Sequence, residues 1–190
     1  MSVKQVSPAP LGLAAFAMTT TVLSLLILGV LPANSASIVV PLALAYGGII
    51  QVLVGWWEAK AGSTFGFVAF SSYGAFWLYL SLLEIFTSMG IVSAQPVAVG
   101  TVLLLWGFFT FYMWIASLKT NLTTSLVFLF LWIAFVVLGI GDITGMHGVK
   151  LAGGFIAFVT AVAAWYDSLA VVINDTFGRQ VLPLGRAVKR

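Results

Sequence analysis

The chain has 190 residues, of which 62% are hydrophobic and 7% charged, with a mean hydropathy of +1.15. A soluble domain carries about 25% charged residues, so this chain lacks the polar surface to face water and reads as an integral membrane protein. The net charge is +3 and cysteine is absent. That excludes disulfides and thiolate metal sites, and a membrane orientation signal accounts for the basic residues better than nucleic acid does.

Residues 1–7 carry a single lysine ahead of an apolar run long enough to span a bilayer. The expectation is a first transmembrane helix rather than a cleavable leader. Two prolines and a glycine, in Ser7-Pro-Ala-Pro-Leu-Gly-Leu, break the backbone there. They predict a helix starting near Leu11 with free N–H groups at its first turn. Six runs approach the roughly 20 apolar residues that a span requires: 11–31, 36–57, 65–89, 96–118, 122–141 and 150–173, with 174–190 as a tail. The connections are short. The fold predicted is all-α, a single six-helix transmembrane domain in a compact bundle.

Lysine and arginine orient it. An even number of spans puts both termini and the second and fourth connections on one side. That side holds Lys4, Lys60, Lys119, Arg179, Arg186, Lys189 and Arg190, against Lys150 alone on the other. Both termini are expected to be cytoplasmic. Glycines inside the spans, among them Gly47, Gly55, Gly74 and Gly139, read mainly as places where helices approach closely.

Polar residues inside hydrocarbon are costly and tend to face the bundle interior or a water-filled path. At helical spacing they fall in stripes. Phe16, Thr20 and Leu23 share a face with Thr19 beside it; Gly47, Gln51, Gly55 and Glu58 form another, next to Tyr46. Gly66, Phe70, Tyr73 and Trp77 continue towards Glu84, while Phe128, Leu131 and Phe135 form an apolar face. Thr160, Ala164, Asp167 and Asn174 align on the last span. Each has a structural alternative: a threonine back-bonding to its own helix, Gln51 bridging helices, Glu58 ending its helix in the headgroups, Asp167 and Glu84 playing structural parts. His147 reads as a solvated residue of a loop from Asp142 to Lys150. No span holds an arginine or lysine in its interior that could clamp a carboxylate or phosphate, and no metal-ligand, nucleotide-loop or nucleophile motif is present. An anionic solute would therefore be held by neutral donors, which suits the weak binding that conduction needs.

These residues are similar to a known pattern. Ser7-Pro-Ala-Pro-Leu-Gly-Leu resembles the N-P-A-P-L-G-L signature of the acetate uptake transporters, or succinate–acetate permeases. The likeness continues through Phe16-Ala-Met-Thr-Thr, Tyr46-Gly-Gly-Ile-Ile-Gln, Glu58, Gly62-Ser-Thr-Phe-Gly and Ala69-Phe-Ser-Ser-Tyr-Gly-Ala-Phe-Trp. It ends at Asn174-Asp-Thr-Phe-Gly-Arg-Gln-Val-Leu-Pro-Leu-Gly, so it covers essentially the whole chain. The resemblance implies a homo-hexamer in the plasma membrane, no cofactor, and a path through each protomer for acetate and, in several members, succinate. Proton-coupled and channel-like passage are both proposed for such proteins. Their apolar constriction maps onto Phe16, Tyr73 and Leu131, and Ala164 falls where a small residue affects substrate size.

Thr19, Thr20, Tyr46, Gln51 and Thr64 are the expected path residues, with the Tyr73 hydroxyl offering a hydrogen bond at the narrowest point. Ser7, Pro8, Pro10, Leu11 and Gly12 form the expected entrance. Glu58, Glu84 and Asp167 are the proton-linked candidates, the last two outside any family motif. Ser7 stands for the signature asparagine, and Ser63 stands where the family has another. The competing readings are a channel for water or ammonia and a non-transporting membrane scaffold or sensor. An integral-membrane enzyme is the weakest.

Overall fold

A computed structural model describes residues 6–186, and these hold six helices long and apolar enough to cross a membrane. They are α1 (Ala9–Ile27), α2 (Ala33–Lys60), α3 (Thr64–Ser88), α4 (Pro96–Ser117), α5 (Leu122–Thr144) and α6 (His147–Phe177). Lys4, Lys189 and Arg190 of the charge tally lie outside the described residues.

Local chemistry explains the ends. Pro8 caps α1 and Pro10 lies in its first turn, where a missing N–H costs nothing. The helix thus starts at Ala9, earlier than expected. The Leu11 N–H is not free but donates to the Pro8 carbonyl (3.1 Å). The Ser63 hydroxyl accepts from the Gly66 N–H at the start of α3 (3.0 Å). The Asn121 side chain accepts from the Thr124 N–H at the start of α5 (2.8 Å). Gly145 and Gly178, at φ 66° and 63°, end α5 and α6 in the left-handed conformation that glycine adopts without strain.

Two elements depart from the apolar runs. α2 begins as a 3₁₀ turn over Ala33–Ile38 and widens to a π-helix over Ala43–Ile50 before resuming as α-helix at Gln51. The widening follows Pro41, which has no N–H to give to the ladder. Between α5 and α6 the expected loop shrinks to Gly145 and Met146. Asp142 is therefore in the last turn of α5, and His147 and Lys150 are in the first turn of α6.

The helices close a ring. α4 packs on α5, α5 on α6, α6 on α1, α1 on α2 and α2 on α3, while α3 returns to α4 through a thin contact. Small residues set the closest approaches. A Cβ on Gly100 would sit 2.6 Å from the Gly139 carbonyl, and one on Gly139 would sit 2.8 Å from that of Gly100. Large apolar residues such as Leu53, Trp56, Leu105, Phe108 and Phe155 face outward, as a lipid solvent requires. Six crossings leave both chain ends at one end of the bundle, here the terminal end, with Lys60, Lys119, Arg179 and Arg186. Lys150 is at the opposite end.

Candidate functional site

The interior of the ring holds two chambers in line. The terminal chamber, about 210 Å³, is walled by Leu13, Phe16, Gln51, Glu58, Phe70, Tyr73, Thr120, Thr124, Phe128 and Leu131, among others. The opposite chamber, about 230 Å³, is walled by Phe16, Thr20, Leu23, Trp77, Leu103, Leu131, Phe135, Asp142 and Lys150 among others. Each far exceeds the ~10–15 Å³ that suffices for one water. Phe16 and Leu131 belong to both walls, so the chambers meet at these two side chains. Tyr73 stands against Phe16, with ring centroids 6.2 Å apart. The three expected constriction residues are thus brought together from α1, α3 and α5.

Tyr73 is held on several sides. Its ring packs against Trp106, Phe109 and Phe128 at centroid distances of 5.9, 5.5 and 5.9 Å. Its hydroxyl donates to Thr110 Oγ1 (3.0 Å), and the Thr110 hydroxyl donates in turn to the Trp106 carbonyl (2.7 Å). The hydroxyl proton expected to serve a solute is therefore committed to α4. What Tyr73 presents at the narrowing is its ring.

Three unpartnered polar groups lie to either side. Thr20 Oγ1 and Trp77 Nε1 are buried without a hydrogen-bond partner in the opposite chamber, and Gln51 Oε1 is so in the terminal one. A buried polar group left unpaired costs about 1–3 kcal/mol, so these sites call for water or a passing solute. Glu58 also faces the terminal chamber. Its carboxylate lies over Gly66, where any Cβ would collide with it, and this explains the glycine.

Other expected residues take different places. Thr19 lines neither chamber: its hydroxyl donates to the Ala15 carbonyl (2.9 Å) and it packs into the gap at Gly47. Tyr46 is half-buried and Thr64 exposed, both outside the chamber walls. Ala164 is fully buried in the core behind the path. In the signature stretch, Ser7 and Leu11 are exposed, Pro8 is buried, and Gly12 packs against Phe70 and Val54. The Pro10 carbonyl accepts from the Ser168 hydroxyl (2.7 Å). Ala9 and Leu13, from the same stretch, do line the terminal chamber.

The carboxylates separate too. Asp167, 1% exposed, accepts from the Thr123 hydroxyl (2.9 Å) and the Thr124 hydroxyl (2.6 Å). Thr124 is in the chamber wall, so Asp167 stands one side chain behind the path. Glu84 is exposed and borders a separate cavity of about 310 Å³ with Leu23, Leu80 and Ser81. Sequence reasoning missed two groups. Trp77 was one more aromatic in a stripe, although an indole mid-span always brings an N–H to place. Lys150, expected only as the boundary between the outer connection and the last span, reaches the chamber wall, where its Nζ donates to Asp142 Oδ1 (2.7 Å).

A model of the GPR1/FUN34/yaaH family matches residues 1–184. The chain belongs to that family. The motifs pointed to the same one. Its relatives include the succinate-acetate/proton symporter SatP of Escherichia coli K12, 38% identical over 185 residues, with 97% of each chain covered. Acetate permease A of Emericella nidulans is 37% identical over 197 residues, 95% of this chain and 66% of that one. The solved structure of the bacterial acetate channel SatP superposes with a TM-score of 0.92 at 38% identity, covering 96% of this chain and all of that one. These family members are a symporter, a permease and a channel rather than enzymes. The all-helical, six-span fold expected from hydropathy is the one found.

Proposed function

We propose that this protein is a membrane transporter or channel for small monocarboxylates, acetate foremost, with succinate as a further substrate. The solute passes through a pore in each protomer that narrows at Phe16, Tyr73 and Leu131. One observation carries this reading: two chambers from opposite ends of the bundle meet at Phe16 and Leu131, with Tyr73 closing the third side. An apolar throat excludes hydrated ions by dewetting and passes a small solute that sheds most of its water. Thr20 and Trp77 on one side, and Gln51 on the other, offer it hydrogen bonds before and after.

In this reading the protein is a single transmembrane domain in the plasma membrane with both termini cytoplasmic, which the basic residues at the terminal end support. It assembles as a homo-hexamer, as family resemblance implies. Glu58 is the proton-linked candidate best placed for coupling, since its carboxylate faces the terminal chamber. Asp167 reaches the path only through Thr124, and Glu84 is off it.

The test is labelled-acetate flux into proteoliposomes under an imposed pH gradient or membrane potential, one at a time. Passive acetic-acid permeation is subtracted with protein-free vesicles. Accumulation driven by the pH gradient indicates proton coupling, and flux that follows the electrochemical gradient of acetate indicates a channel. Water or ammonia permeation with no acetate flux would overturn the carboxylate reading.

A further inference from the structure

The two chambers differ in charge. Lys150 is the single cation in either wall among the described residues, and it stands at the mouth of the opposite chamber. Among the described residues, the wall of the terminal chamber has an acidic group, Glu58, and no cation. Lys150 is fixed there by geometry. It lies on the first turn of α6, which the two-residue connection brings beside the last turn of α5, so its Nζ donates to Asp142 Oδ1 at 2.7 Å.

An ammonium has three donors, and this contact uses one. The lysine side chain is 47% exposed and that of Asp142 13%, so the ammonium is the accessible member of the pair. An exposed ion pair of this kind is weak. A carboxylate from solution offers Lys150 the same acceptor chemistry as Asp142, against the cost of leaving the largely buried Asp142 carboxylate without its partner. Below it, the Trp77 indole N–H, a donor only, and the Thr20 hydroxyl are buried without partners. The floor is the apolar pair Phe16 and Leu131.

We propose that Lys150 is a carboxylate-capture residue at this mouth, with Asp142 as the built-in competitor that occupies it between solutes and displaces each one inward. The ligand is a small monocarboxylate anion, so the inference rests on the carboxylate reading above. Capture by one charge at the mouth concentrates substrate at the chamber, and the competing carboxylate keeps the site from becoming a trap. His147 and Asp142 border the same rim, while Glu84 borders a neighbouring cavity and leaves Lys150 to Asp142.

The experiment measures initial rates of labelled-acetate flux against acetate concentration, at low and high ionic strength, for the wild type, Lys150→Gln, Lys150→Arg and Asp142→Asn. Lys150→Gln should raise the half-saturating acetate concentration about fivefold, the scale of one exposed ion pair, and flatten the salt dependence. Lys150→Arg should restore both. Asp142→Asn should lower the half-saturating concentration, because the competitor is gone. A Lys150→Gln profile matching the wild type would overturn capture while leaving the transport reading intact. Equal defects in Lys150→Gln and Asp142→Asn would overturn it as well, marking the pair as a brace between α5 and α6. Absence of acetate flux in the wild type itself would instead remove the reading on which the inference rests.

Discussion

At the residue scale, the proposed throat separates shape from hydrogen bonding. Leu131 is 6% exposed and its side chain belongs to both chamber walls. Leu131→Ala should join the chambers and admit larger monocarboxylates. Discrimination by the size of an apolar pocket is worth about tenfold or more per methylene-sized change. Competition by lactate against labelled acetate should therefore strengthen by that order, and unchanged competition would take Leu131 out of the throat. Tyr73 makes the complementary case. Its hydroxyl bonds Thr110 rather than the path, and Thr110 keeps its own bond to the Trp106 carbonyl when that partner is lost. Tyr73→Phe should thus keep acetate flux within about twofold while lowering stability by about 1 kcal/mol, the net worth of one hydrogen bond. Flux assays paired with thermal unfolding in detergent check both halves. A collapse of flux with stability intact would return the hydroxyl to the solute.

At the element scale, the sequence was legible where lipid imposes a simple rule and opaque where partners are distant. In a bilayer every span must be a continuous apolar run, so the helices and the stripes of Phe16, Thr20 and Leu23 or Gly66, Phe70 and Tyr73 could be read by spacing. The π-helical stretch of α2 could not, because it depends on how Pro41 and the following residues redistribute their ladder. Nor could Lys150 be placed, since two residues suffice for a turn that charge and polarity had extended to nine. Tyr73 and Thr110 are 37 residues apart, and Asp167 is more than forty from Thr123 and Thr124. No periodicity pairs such groups. Glycine was the intermediate case: its packing role was expected, its partners were not. Because the Cβ of Gly100→Val would meet the Gly139 backbone, which cannot rotate away, α4 and α5 should separate. Overpacking of this kind costs about 1–3 kcal/mol, seen as a lower melting temperature in detergent. Gly148→Ala, where an added Cβ meets nothing within 4 Å, is the control and should not lower the melting temperature.

At the scale of the whole molecule, charge is distributed along the same axis as the path. Lys60, Lys119, Arg179 and Arg186 share the terminal end, and Lys150 is the one basic residue at the other among the described residues. On the orientation proposed above from the positive-inside rule, the terminal end is cytoplasmic. Lys150 then faces outward, on the side from which a nutrient carboxylate arrives, and the Glu58 chamber opens to the cytoplasm. Orientation therefore decides which chamber receives the solute and which releases it. The absence of cysteine makes this directly measurable on the purified chain after labelling, because a single introduced cysteine is the only thiol it carries. Ser7 is exposed at the terminal end, and Met146, 58% exposed, occupies the α5–α6 turn at the other. In intact cells, a membrane-impermeant maleimide should label Met146→Cys at once and Ser7→Cys only after permeabilisation. The reverse pattern would invert the molecule, turning the Lys150 mouth into a cytoplasmic one and Glu58 into the first charge an incoming solute meets.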